Sequence, residues 1–245
     1  MIIINADDCG ISKVVDDQIE HCIENRLITS TTIMANMADF DGAVRLYNQY
    51  SEDVSFGWHM NLTEGEPLLK SQLLLDKGYY VEEDGKVVLN GKPFWKKPLS
   101  KEMIVDIKKE LKAQYEKIRD YGVKITHADS HEHIHTSWSL WPIMPGFMKD
   151  LGVTRCRRMR NYVPSMTSRI ARNIWSLPFK MKGIKMVDTF CSYQEYVDNP
   201  NLSQGKIIEL MCHPGSHEYN FEDEYELLKK QIILKDVKKI SYHDL

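Results

Sequence analysis

No apolar run in this chain approaches the roughly 18 residues that a bilayer span requires, so no membrane association is expected. CxxC spacing is missing as well. The five cysteines (Cys9, Cys22, Cys156, Cys191 and Cys212) are scattered and odd in number, which argues against a disulfide framework and against a thiolate zinc site. An excess of positive charge is also lacking. The formal net charge of −3 does not favour general nucleic-acid binding. The opening "MIIINADD" has neither a basic n-region nor a cleavage signature, so no signal peptide is expected, and the default location is cytoplasmic. Internal repeats, low-complexity tracts and linkers are not found. One domain over 1–245 is expected, a length that an α/β barrel reaches as a single unit.

What is present is an alternation of Ile- and Val-rich runs with helical patterns. Strands are predicted over 1–6, 27–36, 54–62 and 124–131, then at 153–157, 185–190, 206–212 and 238–242. A helix follows the first strand, with Ser12 as N-cap and Val15, Ile19, Cys22 and Ile23 on one face. The clearest helix covers 101–121, capped by Ser100 and ended by Gly122, and "WSLWPIMPGFMKDL" reads as helical up to Gly152. Seven or eight mostly parallel strands separated by helices imply a (β/α) barrel, complete or distorted; an open doubly wound sheet is the runner-up. An insertion at 64–99, with a hairpin turn at Asp84-Gly85, is long enough to cover a site.

The unusual polar residues sit where the strand-like runs end. Asp7 and Asp8 follow the first and Asn36 the second, His59 and Asn61 the third, and Asp129 and His131 the fourth. Arg157 and Arg158 end the fifth and His213 the seventh. In a barrel these ends share the face where active sites are built. "HADSHEHIH" (127–135) is the densest cluster, and imidazole and carboxylate suit divalent metals. His131, His59 and one N-terminal aspartate would complete a two-histidine, one-carboxylate set that leaves positions open for water. His127 and His135 read more simply as core or capping histidines. "CHPG" (212–215) reads first as a turn, raised by its place after an Ile-rich strand. The basic stretch 155–172 reads first as a solvated face, with one of its arginines turned inward. Trp58 and Trp95 could offer aromatic faces to a sugar ring.

Four segments carry a family resemblance. "NADDCG" resembles NADDFG, "GWHMNLTEG" resembles GxHxNLTEG, "THADSHEHIH" resembles THxDSHxHxH, and "ELMCHPG" resembles ELMxHPG. In this order they are hallmarks of the YdjC-like carbohydrate deacetylases, which include the chitooligosaccharide deacetylases. The resemblance spans residues 5 to 215. It implies a distorted barrel that binds one divalent metal, magnesium or zinc, and removes acetyl groups from N-acetylated mono- or oligosaccharides. Carried over, the ligands would be Asp8, His59 and His131, with Asp7 as general base and His213 as general acid. Asp129 would hold a ligand histidine in its tautomer, and Asn61, His133, Arg157 and Trp58 would meet the substrate. Tyr79, Tyr80 and Trp95 of the insertion would close over it. Cys9 in place of phenylalanine, and the bulky Trp58 and Met60 beside the metal histidine, depart from the pattern in ways that bear on substrate shape. Two other functions fit the same residues: a metal-dependent phosphoesterase on a similar barrel, and a sugar-binding protein without catalysis. The sequence leaves the natural sugar, its chain length, the acetyl group removed and a homodimer open.

Overall fold

The computed structural model describes residues 1–200, 206–215, 224–230 and 237–245. Its frame is a curled parallel sheet of six strands. These are β1 (Ile2–Cys9), β2 (Ser30–Ile33), β3 (Ser55–Met60), β6 (Ala128–Ser130), β7 (Thr189–Ser192) and β8 (Ile208–Cys212). Across the sheet they lie in the order β6-β3-β2-β1-β8-β7. The remaining two strands, β4 (Tyr80–Glu83) and β5 (Lys86–Leu89), form a separate antiparallel hairpin. The architecture is α/β, but it is a half-barrel and not a ring of seven or eight strands. The predicted strand at 153–157 meets its neighbours only through single bridges, Ala128 to Cys156 and Arg155 to Lys185. That at 238–242 makes one bridge, Ile2 to Lys239, and then turns into a 3-10 helix over Tyr242–Asp244. Apolar patterning shows that a run can be extended. A ladder also needs a neighbour in register over several residues.

Helices cover the outer face. α1 (Lys13–Glu24) starts at Ser12, whose side chain accepts from the Val15 backbone N–H, and it buries Val15, Ile19, Cys22 and Ile23. The second is α2 (Phe40–Tyr50). α4 (Lys101–Asp120) is capped in the same way by Ser100 and buries Met103, Ile107, Leu111 and Ile118. Its two buried polar residues face the loop after β3. Gln114 exchanges hydrogen bonds with the Asn61 backbone (2.7 and 3.1 Å), and Glu110 accepts from Leu68 N (3.1 Å) and Leu69 N (2.7 Å). The long helix therefore pins the chain that leaves the third strand.

The insertion is compact. It holds α3 (Gln72–Asp76), the β4–β5 hairpin and a 3-10 turn at Lys92–Trp95. Asp84 and Gly85 both have positive φ, the pair of angles a two-residue type I′ hairpin turn requires. Tyr79 and Tyr80 are buried, so they anchor the insertion and have no face to lay over a sugar; Trp95 is exposed. Residues 137–143 precede α5 (Met144–Asp150), which is shorter than the predicted helix and ends at Gly152 as expected. α6 (Met166–Trp175), α7 (Leu177–Met181), α8 (Tyr193–Asp198) and α9 (Glu224–Lys229) complete the described helices.

Each face of β1 has its own environment. Ile2, Ile4 and Ala6 join the large apolar cluster under the helices. Ile3 joins a small inner cluster with Val187, Phe190, Ile240 and Tyr242. Asn5 and Asp7 share the inner side of the sheet with Ile3, as strict alternation dictates.

Candidate metal and acid–base site

Alternation alone would turn Asp8 away from Asp7, toward the helices. Two local features prevent that. The pairing of β1 with β2 shifts register between Ala6 and Cys9, and Asp8 itself adopts φ +66°. A bulge with a left-handed residue re-aims a side chain, and for a non-glycine such a conformation is uncommon. Both adjacent carboxylates therefore reach the same region.

Asp8 meets two imidazoles. His59 Nε2 lies 3.1 Å from Asp8 Oδ1, and His131 Nδ1 lies 2.9 Å from the same oxygen. Each ring has a second carboxylate at its other nitrogen: Asp129 at 2.6 Å for His59 Nδ1 and Glu64 at 2.9 Å for His131 Nε2. Thr32 Oγ1 adds a contact of 3.0 Å to His59 Nδ1. A carboxylate behind a ligand histidine fixes its tautomer and orientation. Burial disfavours protonated imidazole, but Asp129 and Asp8 outweigh it and raise His59 to about 9. Asp8 and Glu64 likewise raise His131 well above the ordinary histidine range. Burial pushes Asp8 up, yet the two histidines hold it well below the usual carboxylate range. The trio thus favours bound positive charge, and a cation competes with protons for those nitrogens. The three ligand atoms lie within 4.8 Å of one another, a donor set that suits a divalent metal.

A second trio, Asp7, His59 and Asp129, is equally close. It already has its cation. Arg157 Nη1 sits 2.6 Å from Asp7 Oδ2 and 2.9 Å from Asp129 Oδ2. Nη2 donates to Asp7 Oδ1 (2.7 Å), and Nε donates to Glu209 Oε1 (2.7 Å), whose other oxygen accepts from Tyr242 OH (2.6 Å). Arg157 is fully buried among three carboxylates, so it clamps Asp7 and presents no donor to a substrate. Burial raises the Asp7 carboxyl, but the Arg157 charge and fork prevail and hold it well below its ordinary value.

These groups open on a cavity of about 180 Å³ lined by Asp7, His59, His131, Glu132, His133, Met211 and His213. His213 Nε2 stands 3.8 Å from Asp7 Oδ2, and its Nδ1 lies 3.6 Å from Glu224. Burial lowers His213, but Glu224, Asp8 and Asp7 together raise it above the ordinary value. His133 sits on a left-handed backbone (φ +55°) after Glu132 (φ +48°), packs edge-on against Phe190, and leaves its buried Nδ1 without a hydrogen-bond partner. Burial and Arg157 press it down to about 3, so it is neutral near pH 7.

Trp58 and Asn61 do not line the cavity. Trp58 is fully buried against Tyr115 at 5.4 Å between ring centroids. Asn61 organises the following loop: its Oδ1 accepts from Thr63 N, and its Nδ2 donates to Glu64 O (2.9 Å). In that way Asn61 acts on the site through Glu64. Residues that sequence reasoning missed include Glu64, Met211, Glu209 and Glu224. Glu64 stood inside the quoted "NLTEG". Glu209 stood inside the apolar run "IIELM", where a lone charge is itself a signal. Glu224 had no local signature.

The sequence profile of the YdjC-like proteins matches residues 1–239. The chain belongs to the YdjC-like family. Among its relatives is a carbohydrate deacetylase of Clostridium beijerinckii, 27% identical over all of this chain and 99% of that protein. A chitooligosaccharide deacetylase of Klebsiella pneumoniae is 28% identical over 88% of this chain and 81% of its own. A carbohydrate deacetylase of Geobacillus stearothermophilus is 29% identical over 87% and 78%. A crystal structure from Enterococcus faecalis V583, described as a candidate cellobiose-phosphate cleavage protein, superposes with a TM-score of 0.75. That likeness covers 99% of this chain and 97% of the other at 19% identity, and it shows the fold. No helix among the described residues is long and apolar enough to cross a membrane.

Proposed function

We propose that this YdjC-like chain is a metal-dependent hydrolase that removes acetyl groups from N-acetylated sugars such as chitooligosaccharides. The observation that carries the reading is the meeting of the Asp8–His59–His131 donor set with Asp7 and His213 at one small cavity. Relatives over nearly the whole chain named as carbohydrate deacetylases supply the reaction class.

Asp8, His59 and His131 would hold one divalent metal, magnesium or zinc. When bound, that ion supplies Lewis-acid stabilisation of the negative charge that develops on the acetamide oxygen. Asp7 takes a proton from the attacking water. The Arg157 fork keeps Asp7 ionised and aimed at the cavity, and its low basicity is the cost of that aim. His213, whose acidic neighbours raise it and so favour its protonated form, gives a proton to the departing nitrogen, so that the C–N bond breaks to a free amine and acetate. Neutral His133 forms part of the wall the substrate meets, and Met211 offers an apolar wall for the acetyl methyl. Asp129 and Glu64 steady the two imidazoles from behind.

The test is acetate release from a panel of N-acetylated mono- and oligosaccharides, with chelator treatment and metal add-back. The reading expects release that stops on chelation and returns with one metal per chain. His131→Ala should abolish stoichiometric metal binding; unchanged metal content would remove His131 from the site.

A further inference from the structure

A second, larger cavity of about 650 Å³ lies at the other end of the strands. Its walls include α6, α7, Asp188 just before β7, Thr189 at its start, and Lys206 just before β8. The catalytic cavity takes Met211 and His213 from the far end of that same last strand. Four cationic side chains line the second cavity, Arg158, Arg169, Lys180 and Lys206, against a single carboxylate, Asp188. Among the described residues none of the four forms an ion pair. Asp188 Oδ2 is occupied by the backbone N–H groups of Lys206 (2.8 Å) and Ile207 (3.0 Å).

Arg158 is the most telling of the four. It is 4% exposed. Its terminal nitrogens donate to neutral acceptors only: Val187 O (3.2 Å), Asp188 O and Asn173 Oδ1 (2.6 Å). Its Nε is buried with no hydrogen-bond partner. The Asp188 carboxylate lies near enough to favour its charge but forms no ion pair with it, and a buried guanidinium held by neutral acceptors recovers only part of its desolvation cost. Ile170, Ile174 and Leu177 form an apolar wall, each about half exposed.

We propose that this cavity is a binding site for a small organic phosphate, separate from the catalytic cavity. A phosphate monoester carries nearly two negative charges and three acceptor oxygens, which suits several converging cations better than one carboxylate would. The size lies in the range that holds a phosphorylated monosaccharide, whose less polar ring face would rest on Ile170, Ile174 and Leu177.

The experiment is titration calorimetry on the metal-loaded full chain with glucose 6-phosphate, inorganic phosphate and glucose as probes. Saturable binding of one glucose 6-phosphate per chain is expected, with weaker binding of inorganic phosphate and none of glucose. In Lys180→Gln/Lys206→Gln, two exposed substitutions, affinity should fall about tenfold or more. Asp7→Asn should bind as wild type, because its cavity is a different one. Equal affinity in the double variant and wild type, no binding at millimolar probe, or loss of binding in Asp7→Asn would each overturn the proposal.

Discussion

Asp7 and Asp8 are neighbours with unlike surroundings, and the difference is chemical. Asp8 faces two imidazoles, while Asp7 faces a guanidinium fork and a histidine 3.8 Å away. Asp7→Asn should therefore keep metal content while turnover falls by about 10²–10⁴, the usual contribution of a positioned base. Acetate-release kinetics beside metal analysis would check this, and wild-type turnover would remove the base role. Asp16 gives a residue-scale prediction about stability. Its Oδ1 accepts from Gly10 N (2.6 Å), its buried Oδ2 has no hydrogen-bond partner, and burial with the nearby Asp39 pushes its carboxyl up to about 7. With the folded value above the unfolded one, near 3.9, this contribution is fully present below about pH 4 and is lost as pH rises to about 7. At most about 4 kcal/mol is at stake, because each tenfold change in proton affinity is worth about 1.36 kcal/mol. Asp16→Asn should raise the urea midpoint at pH 8 and change it little at pH 4; a lower midpoint at pH 8 would count against this account.

At the scale of elements, the site depends on how loops are held. The turn after β3 carries Asn61 and Glu64, and α4 grips its backbone through Gln114 on both Asn61 N and Asn61 O. Gln114→Ala leaves two buried backbone groups unpaired, at about 1–3 kcal/mol each before water relaxes them. We expect a lower thermal midpoint and, because Glu64 shifts away from His131, weaker metal binding by calorimetry. A variant that loses stability but binds metal normally would show that α4 supports the fold alone. β3 also shows why one glycine is required. A Cβ on Gly57 would lie 2.5 Å from the His127 ring, which stacks flat on Tyr242 at 3.6 Å. Those three residues come from β3, the strand-like stretch before β6, and the C-terminal turn.

At the scale of the molecule, the inner side of the half-barrel is a polar column. Arg157 binds Asp7, Asp129 and Glu209, and Tyr242 from the C-terminal turn caps Glu209. The elements joined there come from both ends of the chain. A cation held by Asp8, His59 and His131 would tie β1, β3 and the segment after β6 together. Metal at a hundredfold excess over its Kd should add about 2.7 kcal/mol to stability. For a chain of this size that is a rise of roughly 5–10 °C in melting temperature, to be read by calorimetry with and without chelator. His131→Ala should show no such rise.

The sequence by itself determined the helices with strong apolar stripes and caps, the six strands of the sheet in outline, and the strand-end location of Asp7, Asp8, His59, Asp129, His131 and His213. These are local properties: periodicity, capping chemistry and polar residues that interrupt apolar runs. Four motifs in order also placed the chain in its family. Tertiary structure decided the rest, because the deciding partners are remote in sequence. Whether 153–157 became a strand depended on neighbours that meet it at single residues. Whether Arg157 met substrate or Asp7 depended on a carboxylate 150 positions away. Trp58 turned inward because Tyr115 of α4 packs beside it. Above all, two consecutive aspartates reached one site only through the bulge and the left-handed turn at Asp8, a backbone choice that side-chain alternation does not reveal.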